Sequence, residues 1–522
     1  MTAEGGEARF FQGVVHGGGN IVEGINQGSV QIKDDTFKPH APSISRRTVF
    51  EKRAYRIYYP YTMTKNLTVG NPALLIVSFT IPLLIGNLFQ QFYSMADTFI
   101  VGRTIGVAAL AAVGCTGSLS FLFLGFVMGF TSGTAIITAQ RFGAGDEGGV
   151  RRSFAVSIVL CGIMAVVLTT ISVIFTGPIL RLLRTPEEIF GGAYRYIIII
   201  FWGTGVLVMF NLLSNVMRAV GDSRTPLVVL VFACLVNIVL DYVFILVFHT
   251  GVEGAAYATL IAQVLSCLLC ALIIVKKISV LRIRKEDWKI SKEDMVEHIR
   301  VALPMGFQMS IIAIGTVVLQ FALNRLGTTA VAAFTAAQKI DMVATMPMHS
   351  FGVTMATFTA QNYGARKFDR IRAGVTQSSL VSGSFSIFMG ILFFLTGNHL
   401  SGVFIGAEAE AVRLAHIYLK INGSCYILLA FLFIFRNTLQ GLGDSLIPTV
   451  AGIMELVMRT LAALILPAFF GFAGACFAGP LAWLGASVPL TIALILTMKK
   501  LIRKSLAEKA AKIARDRGTR TP

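Results

Sequence analysis

The sequence predicts an all-α integral membrane protein, with twelve transmembrane helices forming two pseudo-symmetric six-helix lobes around a central cleft. Three observations carry that expectation. Of 522 residues, 55% are apolar and only 14% charged, with a mean hydropathy of +0.73; a soluble chain carries about 25% charged residues. The apolar residues fall into twelve runs, each near the roughly 20 residues that span hydrocarbon. The first six runs also match the last six in sequence. Together these exclude a soluble enzyme, a secreted disulfide scaffold and a disordered chain.

In order, the runs lie at 72–101, 108–139, 153–177, 189–214, 226–249 and 252–276. After a polar linker at 277–296, six more follow at 297–325, 330–361, 374–397, 411–437, 447–470 and 473–498. The amino lobe is thus 71–276 and the carboxyl lobe 297–498. Residues 1–70 form a polar extension without the apolar core of a signal peptide. Residues 1–62 read either as disordered or as the product of too early a start, since Met63 opens a segment leading straight into the first run. The basic tail at 499–522 reads as a helix at the anionic inner leaflet, or as a plain topology anchor.

Lysine and arginine set the orientation. With the amino terminus inside, the inner loops hold 18 of these residues and the outer loops 6, the two termini left aside. Both termini are therefore expected in the cytoplasm. The formal charge of +18 tracks topology, which speaks against a nucleic-acid partner. All seven cysteines lie in apolar runs. The Cys267/Cys270 pair has no second pair and no basic neighbour, so it reads as small core residues. No nucleophile or metal-ligand spacing of the kind a membrane enzyme needs is found, and no cofactor is expected.

Shifted by about 221 residues, the chain matches itself. Ala139-Gln140 and Gly143-Ala144 fall on Ala360-Gln361 and Gly364-Ala365. Asn215, Gly221-Asp222-Ser223 and Pro226 fall on Asn437, Gly443-Asp444-Ser445 and Pro448. An even number of spans per unit gives both halves one orientation and a pseudo-two-fold axis along the membrane normal. Secondary transporters are often built this way.

The segments "PLLIGNLFQQFYSMADTFIVGRTIG", "TAQRFGAG", "NVMRAVGDSRTP", "NIVLDYVFI" and "GVEGAAYATLIAQ" resemble the multidrug and toxic compound extrusion (MATE) transporters, over roughly residues 64–498. The resemblance implies a V-shaped pair of lobes in the bacterial inner membrane, a monomer exporting small organic, often cationic, compounds. It further implies antiport driven by inward flow of Na+ or H+.

A carboxylate in the hydrocarbon core costs about 2.5–3.5 kcal/mol on insertion scales, so each needs a partner or a role. The deep acidic residues are Asp97, Asp241, Asp341 and Glu455. Counted from the outer ends of their spans, Asp97, Asp241 and Thr259 agree in depth within about two helical turns. Asn237 and Tyr93 stand four residues before Asp241 and Asp97, on the same helix faces. Two carboxylates, an amide, a hydroxyl and a phenol suit a small hard cation. Alternatively the two aspartates share one proton, because close like charges resist joint ionisation; a hydrogen-bonded cluster that only fixes packing is the plain alternative. The resemblance places the amino-lobe cation site on these same five residues. It also implies bending of the first helix at Pro82, for which a static kink is the alternative.

The carboxyl half does not repeat this set. Asp97 maps to Val318, Asn237 to Arg459 and Asp241 to Ala463. The acidic coupling residue that some MATE branches carry near Ile312 is missing here. One cation site, in the amino lobe, is therefore expected. Glu455 and Arg459 are spaced for an ion pair, read as structural with substrate binding as the alternative. Lys339 and Asp341 are candidate cleft charges that cannot face each other on a helix. Gly125, Gly129 and Gly133 recur at i+4, which suits close helix packing. Phe121, Phe123, Phe126 and Met128 offer apolar contacts to a drug or to lipid. The other functional reading is a flippase for lipid-linked oligosaccharide. It calls for several cleft arginines, whereas the deep basic residues are Lys339, Lys420 and Arg459.

Overall fold

Backbone amides in hydrocarbon are satisfied only inside a helix or a closed barrel, and this chain takes the helical solution. The computed structural model describes residues 64–182, 185–406 and 408–518, among which sixteen α-helices are found. The amino lobe contains α1 (Pro72–Thr104), α2 (Val107–Cys115), α3 (Gly117–Gly143), α4 (Glu147–Leu182), α5 (Glu187–Trp202), α6 (Thr204–Ala219), α7 (Arg224–Tyr242) and α8 (Val252–Lys277). The carboxyl lobe contains α9 (Lys292–Asn324), α10 (Thr328–Gly364), α11 (Phe368–Ile405), α12 (Ala409–Ser424), α13 (Tyr426–Gly441), α14 (Leu446–Ile465), α15 (Pro467–Cys476) and α16 (Ala478–Gly518).

Among the described residues, nine helices are long and apolar enough to cross a membrane, and the bent pairs α5–α6 and α12–α13 add two. The twelfth span is α10, 37 residues long, whose Gln338, Lys339, Asp341 and His349 lower its apolar character. The bends, of 49° and 51°, fall at Gly203 and Cys425, equivalent positions of the repeat that the sequence reads as unbroken spans. A Cβ on Gly203 would lie 2.5 Å from Leu260, so glycine there lets α8 approach. Helix α9 starts at Lys292, five residues earlier than expected, because Ser291 and Asp294 form a capping box.

The repeated Gly-Asp-Ser segment has a local explanation. Gly221 and Gly443 take positive φ, 90° and 87°, which glycine adopts without strain. Asp222 then accepts from Arg224 N at 3.1 Å and Thr225 N at 3.0 Å, satisfying the first amides of α7.

Contacts between the lobes gather toward the Lys/Arg-rich face. Helix α9 crosses α3 at the glycine stripe, where a Cβ on Gly133 would stand 2.5 Å from Ala302 Cα and one on Gly129 would strike Met305 O. Nearer that face, Gln140 donates to Gly441 O at 2.9 Å and Gln361 to Ala219 O at 2.8 Å. Donors and acceptors here are all repeat equivalents, so two glutamines latch the lobes across the pseudo-two-fold. Gln361 also accepts from Leu67 N at 2.9 Å. Residues 64–70, grouped by sequence with the polar extension, are held against the carboxyl lobe: Leu67 is fully buried, and Arg370 donates to Gly70 O at 2.8 Å. The rest of the extension, 1–63, lies outside the described residues.

Candidate functional site

Five of the residues singled out by sequence meet in the amino lobe. Asp97 lies seven residues from the end of α1, and Thr259 seven residues into α8. Asp241 precedes by six residues the end of the π-helical turn Val243–Val247 that closes α7. At about 1.5 Å per residue the three depths agree within a few ångströms. Such π turns mark functional positions in helices, and this one had no signal in the apolar pattern.

The geometry links three helices. Tyr93 Oη and Thr259 Oγ1 share a hydrogen bond of 3.1 Å. The Asn237 amide, oriented to satisfy both its ends, donates to Asp241 Oδ2 at 3.0 Å and accepts from Thr259 N at 3.1 Å. Asn237 and Asp241 are buried, at 1% and 0% exposure. Asp97 and Asp241 are within electrostatic reach of each other. One oxygen of each carboxylate, Asp97 Oδ1 and Asp241 Oδ1, is buried without a hydrogen-bond partner. Buried acceptors in that state are costly, and a proton or a cation relieves the cost. Among the described residues no third Asp, Glu, His or Cys joins them, so further oxygen ligands would be the hydroxyls and the amide.

Sequence reasoning missed Tyr196 on α5. It packs in the same cluster as Ile100, Ile245 and Ala255 and is within electrostatic reach of both aspartates. Nothing distinguished it from other tyrosines in apolar runs.

Pro82 is buried within a continuous α1. Around it, Thr80 bonds Thr354 at 2.8 Å and Asn87 bonds Ser350 at 3.0 Å. The lower half of α1 is therefore tied to α10 of the other lobe, while its upper half carries Tyr93 and Asp97 to α7 and α8.

The carboxyl lobe is furnished differently. Glu455 takes Arg459 at 2.8 Å, as the spacing suggested, and also Arg436 at 2.7 Å. Arg436, at the edge of the run 411–437 and counted among the 18 inner-loop lysines and arginines, is instead buried in α13; it ends an apolar run, which hid its depth. The two candidate cleft charges separate. Asp341 accepts from the Tyr426 hydroxyl, whereas Lys339 is exposed. Phe123 and Phe126 line an apolar groove of about 540 Å³ with α4 and α9, while Phe121 and Met128 are exposed. All seven cysteines are free.

Comparison with known proteins matches this architecture. The MatE family model fits the chain twice, over residues 82–243 and 304–465, the two halves of the internal repeat. A relative from Bacillus subtilis, the probable multidrug resistance protein YoeA, is 30% identical over 72% of this chain and 83% of its own length. The probable multidrug resistance protein NorM of Thermotoga maritima is 24% identical over 72% of this chain and 81% of its own length. A solved MATE transporter in an outward-facing conformation superposes with a TM-score of 0.78 at 24% identity, covering 84% of this chain and 99% of that one. With the family model fitting well over half its length, in both lobes, the chain belongs to the MATE family of membrane transporters.

Proposed function

We propose that the protein is a secondary antiporter that exports small organic, often cationic, compounds in exchange for Na+ or H+. The observation that carries this reading is the carboxylate pair in the amino lobe, Asp241 buried and Asp97 half-buried, each with an unpartnered oxygen, among the hydroxyls of Tyr93 and Thr259. The relatives named as multidrug resistance proteins support the substrate class. With the Lys/Arg-rich face in the cytoplasm, both termini lie inside, and the two glutamines latch the lobes on the cytoplasmic side.

Coupling requires that ion and substrate bind the two conformers with different affinity. From outside, a proton or Na+ arriving at Asp97 and Asp241 removes the repulsion between them and draws the upper part of α1 toward α7 and α8. Pro82 lacks an amide hydrogen and leaves the Ser78 carbonyl without its helical partner, so α1 bends there most easily. That motion changes the space available to the substrate and pulls on the Thr80–Thr354 and Asn87–Ser350 ties to the other lobe. The reading is tested by loading proteoliposomes with a fluorescent organic cation and imposing Na+ and pH gradients separately. Export driven by one of them supports it, and leakage indifferent to both contradicts it.

A further inference from the structure

The pseudo-two-fold that locates the cation site also locates its counterpart in the carboxyl lobe. The shift that carries Asn237 to Arg459 carries Tyr196 to Tyr418 and, at 220 residues, Thr259 to Gly479. All three counterparts line one cavity of about 370 Å³, within the range of small-molecule sites, about 300–1,000 Å³. Its chemistry is not that of a cation site. Both aspartate positions are apolar there, Val318 and Ala463, and a guanidinium stands where the amide did.

Two opposite charges line this cavity. Arg459 is 8% exposed; one of its nitrogens holds Glu455 at 2.8 Å, while its Nε is buried with no partner. Arg436 takes the other Glu455 oxygen at 2.7 Å, so two guanidiniums face one carboxylate and the trio keeps one net positive charge. From α10, Asp341 contributes one negative charge, one oxygen being held by Tyr426. Tyr418 is within electrostatic reach of both Asp341 and Arg459. Phe334 and Trp483 supply aromatic walls.

We propose that this cavity is a second substrate subsite, specific for a small amphoteric aromatic molecule whose carboxylate pairs with Arg459 and whose ammonium pairs with Asp341. A singly charged ligand satisfies one wall and leaves its charge against the like-charged other, which is costly away from water. A molecule bearing one charge of each sign leaves neither unpaired and also gives Arg459 Nε an acceptor. The inference extends the proposed export function by adding a substrate class; ion coupling in the amino lobe does not enter it.

Trp483 makes the site directly readable. The chain has three tryptophans, and Trp202 and Trp288 are exposed, so Trp202→Phe with Trp288→Phe leaves Trp483 as the sole emitter. The full-length protein is titrated without any gradient with 4-nitrophenylalanine, a quenching zwitterion, with its methyl ester (a cation) and with its N-acetyl derivative (an anion). The expected result is saturable quenching, with the zwitterion at least tenfold tighter than either derivative. Asp341→Asn should remove its advantage over the anion, and Arg459→Gln its advantage over the cation. Equal affinity of the three probes, or no saturable quenching, overturns the proposal in the parent protein alone, whether or not either variant folds. A protein that ranks the probes as expected yet exports nothing overturns the export reading and leaves this one standing.

Discussion

Removing the Gln361 side chain should loosen the Lys/Arg-rich face, and by a calculable amount. Gln361 is fully buried; it donates to Ala219 O of the amino lobe and accepts from Leu67 N of the segment held against its own lobe. The bond between lobes is worth about 1 kcal/mol net, so Gln361→Ala costs the closed conformer about 1 kcal/mol. At roughly 1.4 kcal/mol per factor of ten, the closed-to-open ratio falls roughly fivefold. Gln140 makes the equivalent bond, and losing both should lower the ratio about 30-fold. The assay is pulsed electron resonance between spin labels at Lys277→Cys and Lys499→Cys, both exposed near the Lys/Arg-rich ends of α8 and α16, in a background without the seven native cysteines. The wild type should give one short distance; Gln361→Ala and Gln140→Ala should each add a longer population, and the double variant a larger one. If the double variant keeps the wild-type distribution, the glutamines are not a latch.

Other parts of the structure yield shorter tests. Glu455→Gln strips both buried arginines of their carboxylate and should destabilise the protein by about 3–5 kcal/mol, seen as a lowered thermal midpoint in detergent; a change below about 1 kcal/mol would mean the arginines find other partners. Gly133→Ala places a methyl against the α9 backbone and should cost about 1–3 kcal/mol, whereas Gly162→Ala, facing open space, should be neutral or better. Equal midpoints for these two would remove the packing role from the glycine stripe. Pro82→Ala restores the amide to α1 and should slow export while leaving substrate affinity within about twofold; unchanged turnover would show that α1 need not bend.

The amino-lobe site was legible in sequence because charge in hydrocarbon is conspicuous. Asp97 and Asp241 stand out against apolar runs, and Tyr93 and Asn237 share their faces at one helical spacing. Tyr196 carries no such mark, and its role depends on how α5 packs. The Ala-Gln and Gly-Ala pairs were visible as a repeat, but their partners, Ala219 O and Gly441 O, are backbone carbonyls without a side-chain signature. Arg436 was misplaced because a basic residue ending an apolar run looks like a loop boundary. The Asp341–Tyr426 contact joins residues 85 apart, beyond the reach of any local spacing. The twelve apolar runs followed from hydropathy, whereas the breaks that divide the chain into sixteen helices, those at Gly203 and Cys425 among them, carried no mark in the apolar pattern.

The most direct test of the central claim, that one carboxylate pair in the amino lobe couples ion to substrate, is gradient-driven export by single carboxamide variants. Wild-type protein in proteoliposomes should export a fluorescent cation under an imposed Na+ or pH gradient. Asp97→Asn and Asp241→Asn should each reduce that export to the level without a gradient while the proteins remain folded. Full gradient-driven export by both variants would contradict the account.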